Sequence, residues 1–423
     1  MKAGSLFFQC DFRSPRLDFI LKEVLVRRLG LNFSLNQKNE VLPEGSVCLH
    51  YGIPGGDLFF ADSGILRESS IGSWKLFIRD DVPVLEKDGE EFHGDYFGAA
   101  FWLLSRYEEQ SGGIWPDSHG RFPDESNSLA PVLSQLPLIE LWVEKLRNQL
   151  ENLGLSCKKP EAIAEFSIDW DNPVAYLHKG ILRQAGGLIS ALLKADFGGI
   201  SDRLQVLAGV KADPYDNLGT RIGPELLNGK RIFFWTGDYG KYDKGLPVNN
   251  EWYRRQIKAL SAQMIPGLHP SYASFERPEK LIQEKKRLEE ILGTEITACR
   301  FHFLRFRLPE SYRRLEEAGF SEDFSMGFSS FPGFRAGTAL PFHWFDLEKN
   351  QEGKLLIHPF SLMDSCRVFR EETSDNFLAE AGRQLKTGYP VHAIFHNEHP
   401  SWPGWDNTIR NYSKLPVRNP VQG

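Results

Sequence analysis

Two aspartates separated by one residue stand at the end of an apolar stretch, in the segment FSIDWDNP (166–173). The lead-in 162–168 has Glu165 as its only charge and predicts a β-strand. Alternate side chains of a strand share a face, so Asp169 and Asp171 are expected to point the same way, roughly 6–7 Å apart. Two like charges so close are unfavourable unless a metal, a shared proton or a substrate uses them. The pair therefore predicts an active site, with a solvated strand-end turn as the alternative.

Histidines recur at the ends of other predicted strands. In a parallel α/β barrel the chemistry lies at the carboxyl ends of the strands, so these imidazoles are expected near the aspartates. Four of the eleven histidines lie in or just after predicted strands: His269, His302, His358 and His396. Any one of them alone is more often a hydrogen-bonded core or loop residue than a ligand. Their location beside the acid pair is what favours a functional role.

Imidazole and carboxylate side chains together suit a catalytic divalent metal with three protein ligands and an open position for water. We predict Asp171 and His269 as ligands, with His302 as the third. Asp169 would then take the proton from the attacking water, and His396 would protonate the departing amine.

Bulk composition narrows the classes of function. The net charge of −6 argues against a nucleic-acid partner, which demands a basic surface. Five scattered cysteines without CxxC spacing favour a reducing compartment. No run of about 18 apolar residues predicts a membrane span. The apolar N-terminal run is interrupted by Gln9 and Asp11, too early for a signal peptide, so a cytoplasmic location is expected.

The elements that must position these residues divide the chain in two. Residues 1–155 predict a smaller α+β unit of unknown role, with helices at 96–109 and 136–153. Beyond a polar linker, 160–415 alternates strands with helices, as parallel βα units do. Within it, 181–230 reads as an insertion, helical at 182–193 and loop-like at 212–222. Seven strands suit a barrel-like closure; they are predicted at 162–169, 231–236, 264–268, 298–304, 322–326, 355–359 and 391–395.

The C-terminal part resembles the polysaccharide deacetylase superfamily (NodB homology, carbohydrate esterase family 4). FSIDWDNP resembles the family's Thr-Phe-Asp-Asp-Gly-Pro motif, and RIFFWTG (231–237) its second strand. GLHPSYAS (267–274) resembles the metal-binding His-Thr/Ser-x-x-His motif. CRFHF (299–303) stands where the family has Arg-x-Pro-Tyr/Phe-Gly, and AIFHN (393–397) resembles the last strand with its catalytic histidine.

A divergent bacterial branch of that family is similar in its N-terminal region as well. There a separate domain carries a Ser-Arg-x-Glu-Glu helix, here SRYEE (105–109), and an Asp-x-His-Gly-Arg-Phe motif, here 117–122. The resemblance implies a distorted seven-stranded (β/α) barrel of the glycoside hydrolase/deacetylase type. It also implies a metal-dependent hydrolase that removes N-acetyl groups from an amino sugar. The metal expected is zinc, with cobalt, nickel or manganese as alternatives.

This chain departs from the family at three points. Trp170 separates two aspartates that are adjacent in the family. The second metal histidine would fall at 273–274, where Ala and Ser stand, and the proline of Arg-x-Pro is missing. A three-ligand site therefore needs a substitute, for which we predict His302. Arg300 or Arg305 is expected to orient Asp169, with Arg300 predicted as part of the catalytic site.

Other side chains are predicted to bind an N-acetylated saccharide in an intracellular glycan or glycan precursor. They are Asp238, Tyr272, Arg305, Trp402 and Trp405. Two alternatives stay open: a catalytically inactive, deacetylase-like protein that binds glycans, and a glycosidase that uses Asp169 with Asp171 or Asp323 as an acid pair. The first 155 residues are expected to cover one end of the barrel or to help bind substrate. The sequence predicts no oligomeric state.

Overall fold

The computed structural model describes residues 5–36, 42–216, 218–370, 374–397 and 405–415. Two small sheets form the N-terminal region. One is parallel, in the order β2-β1-β3-β4, and the other is an antiparallel meander, β5-β6-β7. The strands are β1 (Leu6–Gln9), β2 (Phe33–Asn36), β3 (Val47–Tyr51), β4 (Leu58–Phe60), β5 (Lys75–Arg79), β6 (Val82–Lys87) and β7 (Glu90–His93).

Helices cover these sheets and lead to the second half of the chain. Helix α1 begins at a Ser14 cap and continues into a π-helix. The predicted helix 136–153 is confirmed as α5. The helices are α1 (Pro15–Leu21), the π-helix Lys22–Arg28, α2 (Tyr96–Leu104), α3 (Tyr107–Gln110), the 3₁₀ turn Asp124–Ser126, α4 (Ala130–Leu133) and α5 (Leu138–Asn152).

The predicted single helix 96–109 is wrong in its middle. Arg106 adopts φ 51, a left-handed backbone that ends α2 before α3 starts. Its side chain is buried and pairs with Glu109 at 2.8 Å. Glu109 in turn holds Arg335 through two bonds of 2.9 Å. The tertiary ion cluster overrides the helical periodicity that the sequence shows.

A nine-stranded sheet forms the second half, in the order β13-β14-β12-β11-β10-β9-β8-β16-β15. All its pairs are parallel except β13 with β14. The strands are β8 (Ala164–Trp170), β9 (Arg231–Trp235), β10 (Ile265–His269), β11 (Ala298–Cys299), β12 (Glu322–Asp323), β13 (Phe342–Asp346), β14 (Gln351–Ile357), β15 (Leu362–Met363) and β16 (Val391–His396). In the described residues no ladder joins the end strands β13 and β15, so barrel closure stays a prediction.

Helices alternate with these strands, as predicted for βα units. In the described parts of the chain, no helix combines the length and apolarity needed to cross a bilayer. The helices are α6 (Gly180–Leu193), α7 (Phe197–Leu207), α8 (Leu218–Ile222), α9 (Pro224–Leu227), α10 (Glu251–Ser261), the 3₁₀ turn Tyr272–Phe275, α11 (Pro278–Leu292), the 3₁₀ turn His302–Leu304, α12 (Glu310–Glu317), α13 (Arg367–Arg370), α14 (Ser374–Leu385) and α15 (Trp405–Tyr412).

Three local predictions need correction. The strand predicted at 298–304 ends at Cys299, and a turn with Phe303 at φ 59 follows. The strand predicted at 355–359 is the end of β14, which forms an unpredicted hairpin with β13. Helix α8 lies in the predicted loop 212–222, and α7 was not predicted. The helix predicted at 182–193 is confirmed as α6.

The two halves of the chain meet through buried polar contacts rather than through a loose linker. The backbone N–H of Ile139 donates to the carbonyl of Gly337 at 3.0 Å. A Cβ at Gly337 would come within 2.7 Å of the Leu103 side chain, so only glycine allows this approach. The Glu140 carboxylate accepts from the backbone of Ala339 at 3.0 Å. These contacts hold the N-terminal region against the loops that follow β12, while its independence as the domain 1–155 stays a prediction.

Candidate active site

A cavity of about 490 Å³ opens at the carboxyl ends of the parallel strands. Both sequence aspartates and three of the four strand-end histidines face it, as the strand-end rule predicts. Its lining residues are His119, Arg121, Asp169, Asp171, Asn172, Trp235, Tyr242, Lys244, His269, Phe301, His302, Phe303, Leu304, Ser329, Ser330, Met363, Ser365, Arg367 and His396.

Three of the side chains predicted as metal ligands converge on one point. Asp171 directly follows β8, His269 is the last residue of β10, and His302 begins the 3₁₀ turn after β11. The Nε2 atom of His269 lies 3.0 Å from Oδ1 of Asp171, and Nε2 of His302 lies 3.7 Å from Oδ2. One donor atom from each of the three lies within 4.8 Å of the others. The early end of β11 creates this geometry, because the turn brings His302 into the cavity.

The opposite nitrogen of each imidazole is anchored by an oxygen that can only accept. Nδ1 of His269 lies 2.7 Å from the carbonyl oxygen of Arg300, and Nδ1 of His302 lies 3.1 Å from Oδ1 of Asp243. Each Nδ1 therefore carries the proton, and in the neutral ring the lone pair is on Nε2, toward Asp171. This is the arrangement by which outer partners orient metal-binding histidines.

The atoms that meet at the centre lack partners of their own. Within the described residues, Oδ1 of Asp171 and Nε2 of His269 are buried and have no hydrogen bond of acceptable geometry, although they are 3.0 Å apart. Buried polar atoms are normally satisfied, so an unpartnered pair needs an explanation. A carboxylate and two imidazoles are the donor set of a catalytic zinc site. The residues present therefore fit a divalent cation.

Charges in the triad are strongly coupled. Burial raises the pKa of Asp171, but His269 and His302 outweigh it and hold that pKa far below its ordinary value. Burial lowers the pKa of His269, whereas the charge of Asp171 raises it, and the net shift is upward. Burial raises the pKa of Asp243, but the hydrogen bonds and charge that it receives, those of His302 first among them, together lower it. A cation at the centre would take the place of the imidazole protons that these shifts favour.

Asp169 faces a different partner on the same cavity wall. Nη1 of Arg300 donates to its Oδ1 at 2.7 Å, and Nη2 donates to Ser167 at 2.7 Å. The guanidinium is fully buried, and desolvation lowers its pKa although the charge of Asp169 opposes that shift. It also lies over the ring of Phe233 at 4.3 Å. Such a fixed arginine sets the orientation of the Asp169 carboxylate.

His396 stands opposite, at the end of β16. Its Nε2 lies 3.8 Å from Oδ2 of Asp169, and its Nδ1 lies 2.6 Å from Oδ1 of Asp364. Asp364 is fully buried and also accepts from the backbone N–H of His396 at 2.8 Å. Burial lowers the pKa of His396, but Asp364 outweighs it and raises that pKa to about 10. The imidazole is therefore held as a proton donor that faces the cavity.

The N-terminal region supplies part of the same cavity. His119 and Arg121 line it from the loop between α3 and α4. Nη1 of Arg121 donates to the carbonyl of Phe303 at 2.7 Å, and Nε of Arg305 donates to the carbonyl of His119 at 2.6 Å. The loop thus packs on the turn that carries His302.

Several residues predicted to bind saccharide are bonded to other protein groups instead. Asp238 lies outside the cavity lining, exposed, with Lys280 at 2.7 Å and Arg287 at 3.0 Å. Trp405 is buried and donates to Asp364 at 3.2 Å, so its ring offers no free face. Trp402 lies outside the described residues.

Arg305 and Tyr272 form a structural stack. Arg305 is buried, and its guanidinium lies 4.1 Å from the ring centre of Tyr272. It also donates to the carbonyl of Tyr272 at 2.8 Å. The Tyr272 hydroxyl lies 3.0 Å from Nδ1 of His119. Neither lines the cavity, because both are used in joining the N-terminal loop to the sheet. His358 also lies apart, with Glu322 at 2.9 Å.

The sequence interpretation missed two supporting carboxylates. Asp364 follows β15, a strand of two residues that is too short to show a period. Asp243 lies in the long loop after β9. A strand-end acid after the stretch FSLM (360–363), apolar except for Ser361, was the available signal for Asp364. No local signal places Asp243 beside His302.

A second cluster, of two carboxylates and one imidazole, lies at the junction of the two halves. Donor atoms of Glu23, His343 and Glu352 also lie within 4.8 Å of one another. Here, however, Arg28 pairs with Glu23 at 2.7 Å, and Lys22 pairs with Glu352 at 3.2 Å. The carboxylates already have cationic partners.

Known proteins resemble parts of this chain. A family of unknown function, DUF7033, matches residues 6–155. No curated protein matches. A candidate polysaccharide deacetylase from Mycobacterium smegmatis is 15% identical with a TM-score of 0.38, over 60% of this chain and 84% of that chain. A polysaccharide deacetylase from Bacillus cereus is 12% identical with a TM-score of 0.30, over 60% of this chain and 86% of that chain. At such TM-scores, function has to be inferred from the site itself.

Proposed function

We propose that this protein is a metal-dependent hydrolase that removes acetyl groups from an N-acetylated amino sugar in a glycan or glycan precursor. One observation carries the proposal. The Asp171 carboxylate and two buried imidazoles direct donor atoms at one spot, and Oδ1 of Asp171 and Nε2 of His269 have no hydrogen bond of acceptable geometry. Beside them stand an aspartate held by Arg300 and a histidine held by Asp364. Such a constellation provides a cation site, a proton acceptor and a proton donor in one cavity. The distorted barrel of the deacetylase type is the fold that we propose with it.

Asp171, His269 and His302 would hold the cation. When bound, a divalent metal such as zinc polarises a carbonyl. It also lowers the pKa of a water that it binds, so that this water can act as a nucleophile near neutral pH. The carbonyl of Arg300 and the carboxylate of Asp243 would keep both imidazoles in the ligating tautomer. This support makes zinc our first choice, with cobalt, nickel or manganese as alternatives.

Asp169 would accept the proton of the attacking water. Its Oδ1 is held by Arg300 at 2.7 Å, which leaves Oδ2 directed toward His396 and the cavity. A positioned carboxylate within reach of the water is what general-base catalysis requires. The water oxygen then forms a bond to the amide carbon.

His396 would donate its proton to the departing nitrogen. Asp364, at 2.6 Å from Nδ1, stabilises the imidazolium and fixes the ring. Proton transfer to nitrogen allows the carbon–nitrogen bond to break, with acetate and a free amine as products. Charge and protons balance because Asp169 releases to solvent the proton that it took from water, and His396 regains from solvent the proton that it gave to nitrogen.

The alternatives from the sequence have less support. A glycosidase needs one carboxylic acid that donates a proton, but Asp169 is paired with Arg300 and Asp171 with two imidazoles. Asp323 is fully buried outside the cavity lining, bonded to Tyr312 and Ser325. A catalytically inactive glycan-binding protein would need neither the unpartnered atoms of Asp171 and His269 nor the Asp364–His396 pair.

Acetate release tests the proposal. The full chain, loaded with zinc, is incubated with N-acetylglucosamine oligomers, and acetate and free amine are measured together. We expect stoichiometric release that a chelator removes and that added zinc restores. Saccharide binding without acetate release would favour the silent protein, and cleavage of glycosidic bonds in the presence of chelator would favour the glycosidase.

A further inference from the structure

The insertion after β8 carries apolar side chains that the described part of the protein does not cover. Helix α6 has fourteen residues, none of which is buried. Leu182, Ala185, Ile189 and Leu193 recur every three or four residues and are all exposed, so they form one stripe along the helix. Leu182 is 89% exposed and Leu193 is 83% exposed. A helix this apolar is normally buried, so a missing partner is indicated.

Helix α7 extends the same surface. Phe197 is 68% exposed, and Leu204 and Leu207 follow it at helical spacing, also exposed. The inner sides of α6 and α7 face each other, where Arg203 donates to the Gln184 side chain at 2.7 Å. The two helices, residues 180–207, therefore form a hairpin whose outer side is apolar. We call it the α6–α7 hairpin.

The hairpin is fixed beside the cavity. Asp213 is buried and accepts from the backbone N–H groups of Ala175 and Tyr176, both at 2.7 Å, which closes the base of the insertion. Nη1 of Arg183 donates to the carbonyl of Gly245 at 2.9 Å. Gly245 follows Lys244, which lines the cavity. The first turn of α6 is thus anchored to a loop that lines the cavity.

The net charge of the α6–α7 hairpin indicates the kind of surface that it binds. Residues 179–211 carry five basic side chains and two aspartates, a net charge of +3 in a chain of −6. Arg183 is the only charged residue of α6, and it points inward to the Gly245 carbonyl. Arg203 is bonded to Gln184 and Lys211 pairs with Asp202 at 2.8 Å, whereas Lys194 is exposed at the end of the α6 stripe. An apolar stripe on a segment of net positive charge suits the interface of an anionic bilayer. A second copy of the hairpin would bring a second +3, so self-association through this surface is disfavoured.

We propose that the α6–α7 hairpin docks this protein on anionic lipid surfaces, with its apolar side in the headgroup region and the cavity at the membrane. At about 1.5 Å per residue, α6 is about 21 Å long and lies along the surface rather than across it. The proposal does not depend on the hydrolase activity proposed above.

Vesicle co-sedimentation of the full chain tests the docking. One set of vesicles contains phosphatidylcholine and phosphatidylglycerol in equal amounts, and the other contains phosphatidylcholine alone. We expect binding to the mixed vesicles that weakens as salt rises. The variant Leu182→Ser/Leu193→Ser/Phe197→Ser should bind more than roughly 100-fold more weakly, because three apolar side chains no longer transfer from water. Phe59→Ser, an exposed aromatic on β4, is the matched control and should bind like wild type.

A charge variant keeps the test independent of apolar substitutions. Lys194→Glu should lower binding to the mixed vesicles by roughly tenfold or more, with no change in the melting temperature, because Lys194 is exposed at the end of α6. The proposal is overturned if wild type stays in solution with both vesicle types, or if the triple variant binds as wild type does. It is also overturned if wild type is a dimer by sedimentation velocity and the triple variant is a monomer.

Discussion

Two clusters in this molecule have a similar composition and nearly the same spacing but different surroundings. Asp171, His269 and His302 form one, and Glu23, His343 and Glu352 form the other. In both, donor atoms lie within 4.8 Å of one another. Distance alone would make both of them cation sites.

The second cluster already contains its cations. Glu23 accepts from Arg27 and Arg28, and Glu352 pairs with Arg27 and Lys22. Burial raises the pKa of Glu23, but His343 and the two arginines outweigh it and lower that pKa to about 2. This carboxylate is satisfied as an anion, and its cluster stabilises the junction of the two halves.

The first cluster has no such compensation. Among the described residues, Asp171 is paired with imidazoles alone, and its Oδ1 has no hydrogen-bond partner. The difference teaches that a cation site is marked by lone pairs that the protein leaves unneutralised, more than by proximity of donors.

The largest expected effect separates the two clusters directly. Asp171→Asn should lower zinc affinity by more than about 100-fold and acetate release to background, because losing a ligand exceeds the usual 10–100-fold effect of an outer partner. Glu352→Gln should leave both unchanged. Titration against a chromogenic chelator measures the affinities. Equal losses in both variants would contradict the distinction.

The next prediction separates binding from catalysis within the first cluster's cavity. Asp169→Asn should reduce kcat for acetate release by roughly 10²–10⁴-fold, because the amide cannot accept the proton of water. Zinc affinity should stay at the wild-type value, as Asp169 is held by Arg300 outside the triad. Loss of zinc together with activity would mean that Asp169 is a ligand instead.

The second cluster should respond in stability. Glu23→Gln should lower the free energy of unfolding at pH 7 by roughly 3 kcal/mol, since it leaves Arg28 buried without its anion. Because the folded pKa of Glu23 is depressed to about 2, its contribution is complete above the unfolded pKa of about 4.3 and is lost as pH falls toward 2. Urea unfolding at several pH values should therefore show the gap between variant and wild type closing below about pH 4. A gap that is constant with pH would contradict this role.

The smallest effect concerns the support of His302. Asp243→Asn should weaken zinc binding by roughly 10–100-fold, because the Nδ1 of His302 loses its charged acceptor. Asp238→Asn, on the same loop but paired with surface cations, is the matched control and should bind zinc normally. If both variants keep full affinity, Asp243 does not orient the ligand.

The sequence predicted most of the site because strand ends are visible in a single chain. Apolar stretches that end in Asp171, His269 and His396 place those residues at one edge of a parallel sheet. Their convergence follows from topology, so no structure was needed to expect it. His302 was predicted from the missing ligand, although the strand assigned to it ends earlier, at Cys299.

What the sequence did not predict depends on contacts between distant segments. Asp364 follows a strand of only two residues. Asp243 contacts His302, which lies 59 residues later in the sequence. Trp405 was predicted to bind saccharide, but its indole N–H donates to Asp364. The left-handed Arg106 donates to the carbonyl of Arg335, far along the chain, a contact that helical periodicity does not show.

Anomalous diffraction at the zinc edge, from crystals of the full chain grown with zinc, tests the central claim most directly. We expect one strong peak between Asp171, His269 and His302 and none beside Glu23. No peak at the triad, with the Asp171 and His269 side chains bonded directly to each other, would contradict the account, as would a peak at the Glu23 cluster alone.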